Sequence, residues 1–416
     1  MSKFIKRVKT DTNEYIAYKL LAPILLYNAY IGVSRFFTYK IVHISTLGTL
    51  FYLGIIIIGI IWVFVKYSNE NFVKKGLKSI AVYICFISAM YLLFPINRIF
   101  FKEYANDIIL NIFIGCIGAA IISELKSPKM LCDVLLPHLR FLAIALPLIY
   151  VLGASNYYTS MEWGSRMYPV GLWYFLCLNT TKCNSQFDKL LLVVSLAFSM
   201  LGGRQSLVFL VLGIAAIFIW NTKLNKKKVL IIMLIVICAM LTFLFYDDIL
   251  ALLKNALNKF GINSRSLTML SNQSLFDVSN RKSIYYRCRE IISSNGNHIN
   301  GMFADRYYLR QYRSNIAYAH NLIYELLIDY GTIVGSLIIF IVFSKAIIMF
   351  FKTNKSNKAF YILMCIIGVA RCFISSSVFI EVGVLFFIGL LENKYINGIY
   401  EKIENVQVQG DENNDY

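Results

Sequence analysis

The stretch Gly54-Ile-Ile-Ile-Ile-Gly-Ile-Ile-Trp-Val-Phe-Val65 has no charged side chain over twelve residues. A second apolar run extends from Val229 to Phe245. Strands of a membrane barrel alternate apolar and polar residues, whereas these runs are apolar throughout, which is typical of helices that cross a lipid bilayer. The sequence therefore predicts an all-α polytopic membrane protein.

The composition extends this prediction to the whole chain of 416 residues. Hydrophobic residues make up 58% and charged residues only 15%, whereas an ordinary soluble domain carries about a quarter charged residues. A single water-soluble core cannot hide this excess, so a soluble enzyme, a disordered scaffold and a disulfide-stapled secreted domain are all disfavoured. The nine cysteines include no Cys-x-x-Cys pair, and neither a metal site nor a disulfide framework is predicted.

About twelve segments qualify as transmembrane helices by length and hydrophobicity. Some of them are short and cross the bilayer only with tilt or with support from neighbouring helices. The segments lie near residues 16–34, 43–65, 78–96, 107–123, 134–153, 167–179, 188–202, 205–220, 229–246, 332–351, 359–375 and 379–392.

The distribution of basic residues predicts the orientation of these spans. With the N-terminus in the cytoplasm, the inner segments hold 21 Lys and Arg residues and the short outer loops hold 6. This bias follows the positive-inside rule and predicts that both termini are cytoplasmic. It also accounts for most of the net charge of +18, so nucleic acid is not expected as a partner.

One segment is too long and too polar to be a simple connector. Between Asp247 and Ala317, ten basic residues outnumber five acidic ones, and aromatic and aliphatic residues are interleaved with them. Long loops are exempt from the positive-inside rule, and the apolar residues argue against disorder. The sequence thus predicts membrane helices in 1–246, a large, mainly helical outer loop in 247–318, membrane helices in 319–392 and a tail in 393–416.

The first of two helical patterns in this loop begins at Arg281. Ile284 and Cys288 lie on its apolar face, and Arg287 and Arg289 are further basic residues of the same segment. At the start of a helix, the guanidinium of Arg281 and the backbone N–H groups can bind the same anion. Arg281 is therefore a candidate for ligand contact.

The second pattern lines up three guanidinium groups. Arg306, Arg310 and Arg313 are spaced i, i+4 and i+7, with tyrosines between them. Guanidinium groups bind phosphate bidentately, and tyrosine rings suit sugars, so this row fits an anionic ligand that bears sugar. A solvated basic face that touches lipid headgroups is the alternative interpretation.

Four further sites carry candidate residues. His320 can transfer a proton near neutral pH, or it can cap a helix at the interface. Arg204 lies between two apolar spans, where it can serve a function or snorkel to the headgroups. Arg166 lies in an aromatic outer loop that can bind sugar or form an interfacial belt. Arg371 and Glu381 flank the last outer turn and are expected to pair.

The order of these motifs along the chain resembles a known family. The motifs are Gly202-Gly-Arg204, Ser279-Asn-Arg281 and Ala319-His-Asn-Leu322, followed by Gly331 and Gly335. They resemble the bacterial O-antigen polymerases and the related O-antigen ligases, which are multispan inner-membrane proteins of the GT-C type with a large periplasmic loop. The resemblance covers residues 190–345, and the first half of the chain matches in hydropathy alone. A single Gly301 stands where the family often has a glycine pair.

The resemblance implies a multi-pass enzyme of the bacterial inner membrane that polymerises undecaprenyl-pyrophosphate-linked oligosaccharides at the periplasmic face. It implies no metal, nucleotide or other cofactor, and its partners would be membrane lipid and a chain-length regulator protein. Arg204 and Arg281 would hold the pyrophosphate, and His320 would orient or deprotonate the accepting hydroxyl. The remaining implied substrate-binding residues are Arg166, Arg287, Arg289, Arg306, Arg310, Arg313 and Asn321.

Three alternatives stay open. An O-antigen ligase, which transfers the finished glycan to the lipid A core, shares the same motifs. A polysaccharide flippase would place more charged residues inside its spans than this sequence does. A structural membrane protein with a basic lipid-binding loop would leave the arginine and histidine placement without a function.

Overall fold

The computed structural model describes residues 2–44, 46–152, 160–181, 185–199, 204–221, 281–312, 318–373 and 376–396, with the isolated residues 252 and 255. Within these ranges every regular element is a helix and no strand occurs, which confirms the predicted all-α class. The α-helices are α1 (Ser2–Leu25), α2 (Tyr27–Val42), α3 (Thr46–Lys66), α4 (Asn71–Leu93), α5 (Arg98–Glu103), α6 (Ala105–Leu110), α7 (Cys116–Ser123), α8 (Pro128–Val151), α9 (Ser160–Thr181), α10 (Gln186–Ser199), α11 (Arg204–Asn221), α12 (Arg281–Asn295), α13 (Ala304–Tyr312), α14 (Leu322–Lys352), α15 (Lys358–Gly368) and α16 (Val382–Leu391).

Five helical segments of the described ranges are long and apolar enough to cross a membrane. They are α3, α4, the segment Ala105–Ser123, α8 and α14. Large hydrophobic side chains on α3, among them Ile58 and Val65, are exposed rather than packed inside the protein, as expected where lipid is the solvent. The chain is thus a helical membrane protein.

The number of twelve spans stays a prediction, because several of the predicted spans are not single full-length helices in the structure. The span at 16–34 is broken at Leu26, where α1 and α2 meet at 61°. The spans at 359–375 and 379–392 contain the helices α15 and α16 of 11 and 10 residues, which is about half the thickness of the hydrocarbon core. The predicted span at 229–246 lies outside the described residues.

The break between α1 and α2 has a local cause. Pro23 lies inside α1 and has no N–H to donate to the preceding turn. Its own carbonyl accepts a hydrogen bond of 2.8 Å from the Tyr52 hydroxyl of α3. The chain then turns at Leu26 and restarts as α2 at Tyr27. A helix end therefore lies inside the bundle.

Helices α12 and α13, with residues 296–303 between them, form a layer that packs on the N-terminal end of α14. We call it the α12–α13 layer. Ile284, Cys288 and Leu309 of this layer share an apolar cluster with α14 and with Ala319, which lies in the loop before α14. Phe303 inserts into a second apolar cluster that contains Phe101. Both helical patterns expected in this part of the chain are therefore helices that support the start of α14.

Candidate functional site

A kink in α14 anchors the α12–α13 layer. Gly331 has φ 77° and ψ 167°, which interrupts the helix and releases backbone groups on both sides. The carbonyl of Asp329 accepts the N–H of Gly301 at 2.8 Å, and the N–H of Thr332 donates to the carbonyl of Gly296 at 2.6 Å. The layer thus supplies the hydrogen bonds that the kinked helix cannot make internally.

Two aspartates fix the start of α13 and the loop beside it. The carboxylate of Asp329 accepts the N–H groups of Phe303 at 3.0 Å and of Asp305 at 2.8 Å. Asp305 in turn accepts the N–H of Ala319 at 2.9 Å. One carboxylate therefore caps α13, and the other positions the residue before His320.

Arg306 crosslinks three chain segments inside the protein. Its guanidinium is fully buried and donates to Asp305 at 2.6 Å, to Glu325 at 3.2 Å and to the Ser377 hydroxyl at 2.7 Å. Ser377 donates to Glu325, whose second oxygen accepts the N–H of Val378 at 2.9 Å. The segment before α16 is thereby tied to α13 and α14.

Asp305, Glu325 and Asp329 form a cluster whose oxygens lie within 4.8 Å of one another. That spacing could hold a metal ion, but a guanidinium already lies among the carboxylates. Each of the six oxygens accepts a hydrogen bond from Arg306, from Ser377 or from a backbone N–H. We interpret the cluster as a structural network that positions its surroundings.

His320 occupies a constrained turn at the start of α14. Its φ of 55° lies in the left-handed region, which few residues other than glycine adopt. Asn321 caps α14 by accepting the N–H of Ile323 at 2.9 Å, and its amide donates to the carbonyl of Phe373 at 3.3 Å. The rings of His320 and Tyr318 are 4.0 Å apart between centroids. The turn holds the imidazole beside Tyr318 and close to the segment that carries Arg371.

Charged groups surround Tyr318. Burial raises the pKa of Tyr318 to about 12, so its hydroxyl stays protonated at neutral pH, although the charge of Arg371 favours the phenolate. Arg371 lies 3.5 Å from the carboxylate of Glu381, which confirms the predicted pair. The other oxygen of Glu381 accepts the Ser376 hydroxyl at 2.5 Å. A histidine, a tyrosine and an arginine–glutamate pair thus lie in one region.

A narrow cavity of about 30 Å³ lies at the break between α1 and α2. We call it the helix-break cavity. Arg166 extends into it and donates to the carbonyl of Asn28 at 3.0 Å. The Arg166 side chain passes over Gly32, where a Cβ atom would lie only 2.9 Å from its Cδ. The other charged or phenolic residues of the lining are Tyr27, Tyr168, Arg371 and Glu381.

The other predicted binding residues on the α12–α13 layer lie at its surface. Arg310 makes a two-pronged ion pair with Glu103 of α5, at 2.6 and 2.9 Å. Arg287 pairs with Glu290 one turn along α12 at 2.6 Å. Arg289 is exposed and bonds to a backbone carbonyl of its own helix. The structure does not bring these three side chains to the helix-break cavity.

Two of the three predicted catalytic side chains lie outside the described part of the structure. Arg204 and Arg281 are the first residues of α11 and α12, and only their backbone is described. Arg313 lies outside the described residues. Of the predicted residues, His320 and Asn321 are those found in the turn before α14, and Arg166 is the one found in the helix-break cavity.

The sequence interpretation missed the carboxylates that organise this region. Glu325 and Asp329 are spaced i, i+4 at the start of a long apolar segment. Acidic residues in such a segment indicate a buried polar network or a functional site, and this signal could have identified them. Ser377 carries no comparable sequence signal.

Comparisons with protein-family models, with curated proteins and with solved structures gave no match.

Proposed function

We propose that the protein is a membrane glycosyltransferase that polymerises oligosaccharide repeat units carried on a lipid diphosphate. The observation that carries this proposal is the placement of His320. A side chain suited to proton transfer is held in a left-handed turn at the start of a candidate membrane helix, against Tyr318 and near Arg371. Such a place suits a reaction between lipid-bound sugars at a membrane surface.

The proposed chemistry needs one proton acceptor and several fixed cations. The bond between the donor sugar and the lipid diphosphate breaks, and a glycosidic bond to the acceptor hydroxyl forms. His320 accepts the hydroxyl proton, while the diphosphate leaves with the bonding electrons. Guanidinium groups stabilise the charge of the leaving group, and from the family resemblance we assign this role to Arg204 and Arg281.

In this proposal the α12–α13 layer faces the periplasm of a bacterial inner membrane, and both termini are cytoplasmic. The carrier is undecaprenyl pyrophosphate, and a chain-length regulator is a further partner. Because the donor sugar is already activated as a diphosphate ester, the reaction draws its free energy from that bond.

The first prediction concerns His320. In a host whose own gene is deleted, the variant His320→Ala should produce no long-chain glycan while its abundance in the membrane is unchanged. The reason is that no side chain then takes the proton from the hydroxyl of the acceptor sugar. His298→Ala is the matched control, since His298 lies in the same layer with an exposed side chain and should support normal chains. A normal glycan ladder from His320→Ala would refute the proposed role.

The same glycan gel separates polymerase from ligase. If the protein is a polymerase, the deletion strain should retain the core with a single repeat unit. If it is a ligase, the strain should show bare core and accumulate lipid-linked polymer. A strain with an unchanged glycan pattern would refute both enzymes.

A further inference from the structure

A larger pocket lies between three chain segments, beyond the C-terminal end of α14. Its volume is about 330 Å³, within the range of about 300–1,000 Å³ that is typical of small-molecule sites. The start of α8, the end of α9 and the turn between α14 and α15 form its walls. We call it the α8–α15 pocket, and its polar lining consists of Lys126, Ser127, Lys129, Thr180, Ser356 and Asn357.

The position of this pocket places it at the level of lipid headgroups. Pro128 is the first residue of the candidate span α8. The candidate span α14 ends at Lys352, a few residues before the lining, and the His320 turn lies at its other end. The pocket and that turn are therefore expected on opposite sides of the membrane. Its lysines favour the cytoplasmic side, where phosphate headgroups lie beside the helix ends.

Three lysines make the pocket positive. Lys126 and Lys129 line it, and Lys355 precedes the lining residue Ser356. All three are exposed, and in the described part of the chain Lys126 alone of them lies within ion-pair distance of a carboxylate, at 4.0 Å from Glu14. The ammonium groups therefore keep donors for an anion. Basic pockets between membrane helices on the cytoplasmic side are typical sites for anionic lipid headgroups.

Neutral polar groups add further donors to the lining. The side chains of Thr180 and Asn357 form no hydrogen bond within the described residues, so both can donate to a phosphate oxygen. The loop that carries Lys126 is held in place, because the N–H groups of Lys126 and Ser127 both donate to the Tyr18 hydroxyl, at 3.0 and 3.1 Å. A wall that is already ordered lowers the entropic cost of binding.

The pocket also has an apolar wall, formed by Cys132, Leu176 and Phe360. A phospholipid matches both parts of the lining, with its phosphate at the lysines and its glycerol and first acyl carbons at the apolar wall. A free inorganic anion matches the lysines alone. We propose that the α8–α15 pocket binds the headgroup of an anionic phospholipid from the cytoplasmic leaflet. This inference does not depend on the proposed function, because the pocket and His320 lie at opposite ends of α14.

The test is native mass spectrometry of the purified full chain, delipidated in detergent and titrated with phosphatidylglycerol or phosphatidylethanolamine. The two lipids share the phosphate and differ in net charge, so phosphatidylglycerol should bind about tenfold more tightly. The double variant Lys126→Gln with Lys129→Gln should weaken its binding by about 25-fold, or about fivefold for each lysine. Thr180→Trp fills the pocket without changing its charge and should abolish binding.

The matched control removes the same charge outside the pocket. Lys74 and Lys78 are exposed lysines near the start of α4, and Lys74→Gln with Lys78→Gln should bind phosphatidylglycerol like the unmodified protein. An equal loss of affinity in this control would refute the pocket, because any basic surface would then suffice. Equal affinity for the two lipids would also refute it. If inorganic phosphate at the concentration of the lipid displaced phosphatidylglycerol, the ligand would be the free anion and the lipid assignment would be wrong.

Discussion

Arg306 and Arg310 lie one turn apart on α13, yet the structure predicts very different costs for losing them. Arg306 has no exposed surface and serves two carboxylates and a serine. Arg306→Met should therefore lower the free energy of unfolding by about 3–5 kcal/mol, because Asp305 and Glu325 would be left buried without their cation. Thermal unfolding of the purified protein in detergent measures this loss.

Arg310→Gln is the comparison for this stability prediction. Its ion pair with Glu103 is partly exposed, with both side chains in contact with solvent, and pairs at a protein surface contribute about 0–1 kcal/mol. Adding salt should reduce the small effect of Arg310→Gln further. If the two variants had equal melting temperatures, the buried network around Arg306 would not stabilise the protein more than the surface pair does.

The sequence could predict the spacing of these arginines but not which of them is buried. The i, i+4 and i+7 pattern places Arg306 and Arg310 on one side of a helix, and that geometry is local. The partners of Arg306 come from α14 and from the segment before α16, 19 and 71 residues away. No periodicity within 305–313 carries information about such distant carboxylates.

At the scale of an element, the kink of α14 depends on one glycine. A Cβ atom at Gly331 would lie 2.8 Å from the carbonyl oxygen of His298, and its φ of 77° is unfavourable for other residues. Gly331→Ala should therefore destabilise the protein by about 1–3 kcal/mol and loosen the α12–α13 layer. Faster hydrogen exchange at residues 296–301, which bond to the kink, is the expected measurement.

Gly54→Ala provides the control for this prediction. A Cβ atom at Gly54 meets nothing within 4 Å, and alanine favours a helix over glycine by about 0.5–1 kcal/mol. This variant should be as stable as the unmodified protein or slightly more so. If hydrogen exchange at residues 296–301 were as slow in Gly331→Ala as in Gly54→Ala, the kink would not be what holds the α12–α13 layer.

The short helices α15 and α16 show where hydropathy stops being informative. Their apolar runs resemble full spans, but Gly383 of α16 lies against the backbone of Gly368, and Gly389 lies against Ala119 of α7. These close contacts bury α16 among other helices, so Phe386 and Leu390 are core residues rather than lipid-facing ones. Hydropathy measures how apolar a segment is, and it cannot tell lipid from protein as the surroundings.

At the scale of the whole molecule, the candidate span α4 sets which features are expected on opposite sides of the membrane. It has 23 residues, a length of about 35 Å, and is a candidate span. Beyond its C-terminal end, Asn97 donates to the carbonyl of Asn300 in the α12–α13 layer. The turn that contains Ser68 lies at its N-terminal end, near Lys66 and Lys74. The basic end is expected inside the cell, so the layer and the turn of His320 are expected outside.

This orientation can be measured with a membrane-impermeant maleimide on intact, outer-membrane-permeabilised cells. Ser293→Cys, on an exposed position of α12, should label without lysis, and Ser68→Cys, also exposed, should label only after lysis. The unmodified protein gives the background from Cys85, which is exposed on α4. Labelling of both positions from the same side would show that α4 does not span the bilayer. Labelling in the reversed order would place His320 in the cytoplasm, where a periplasmic polymerase could not use it.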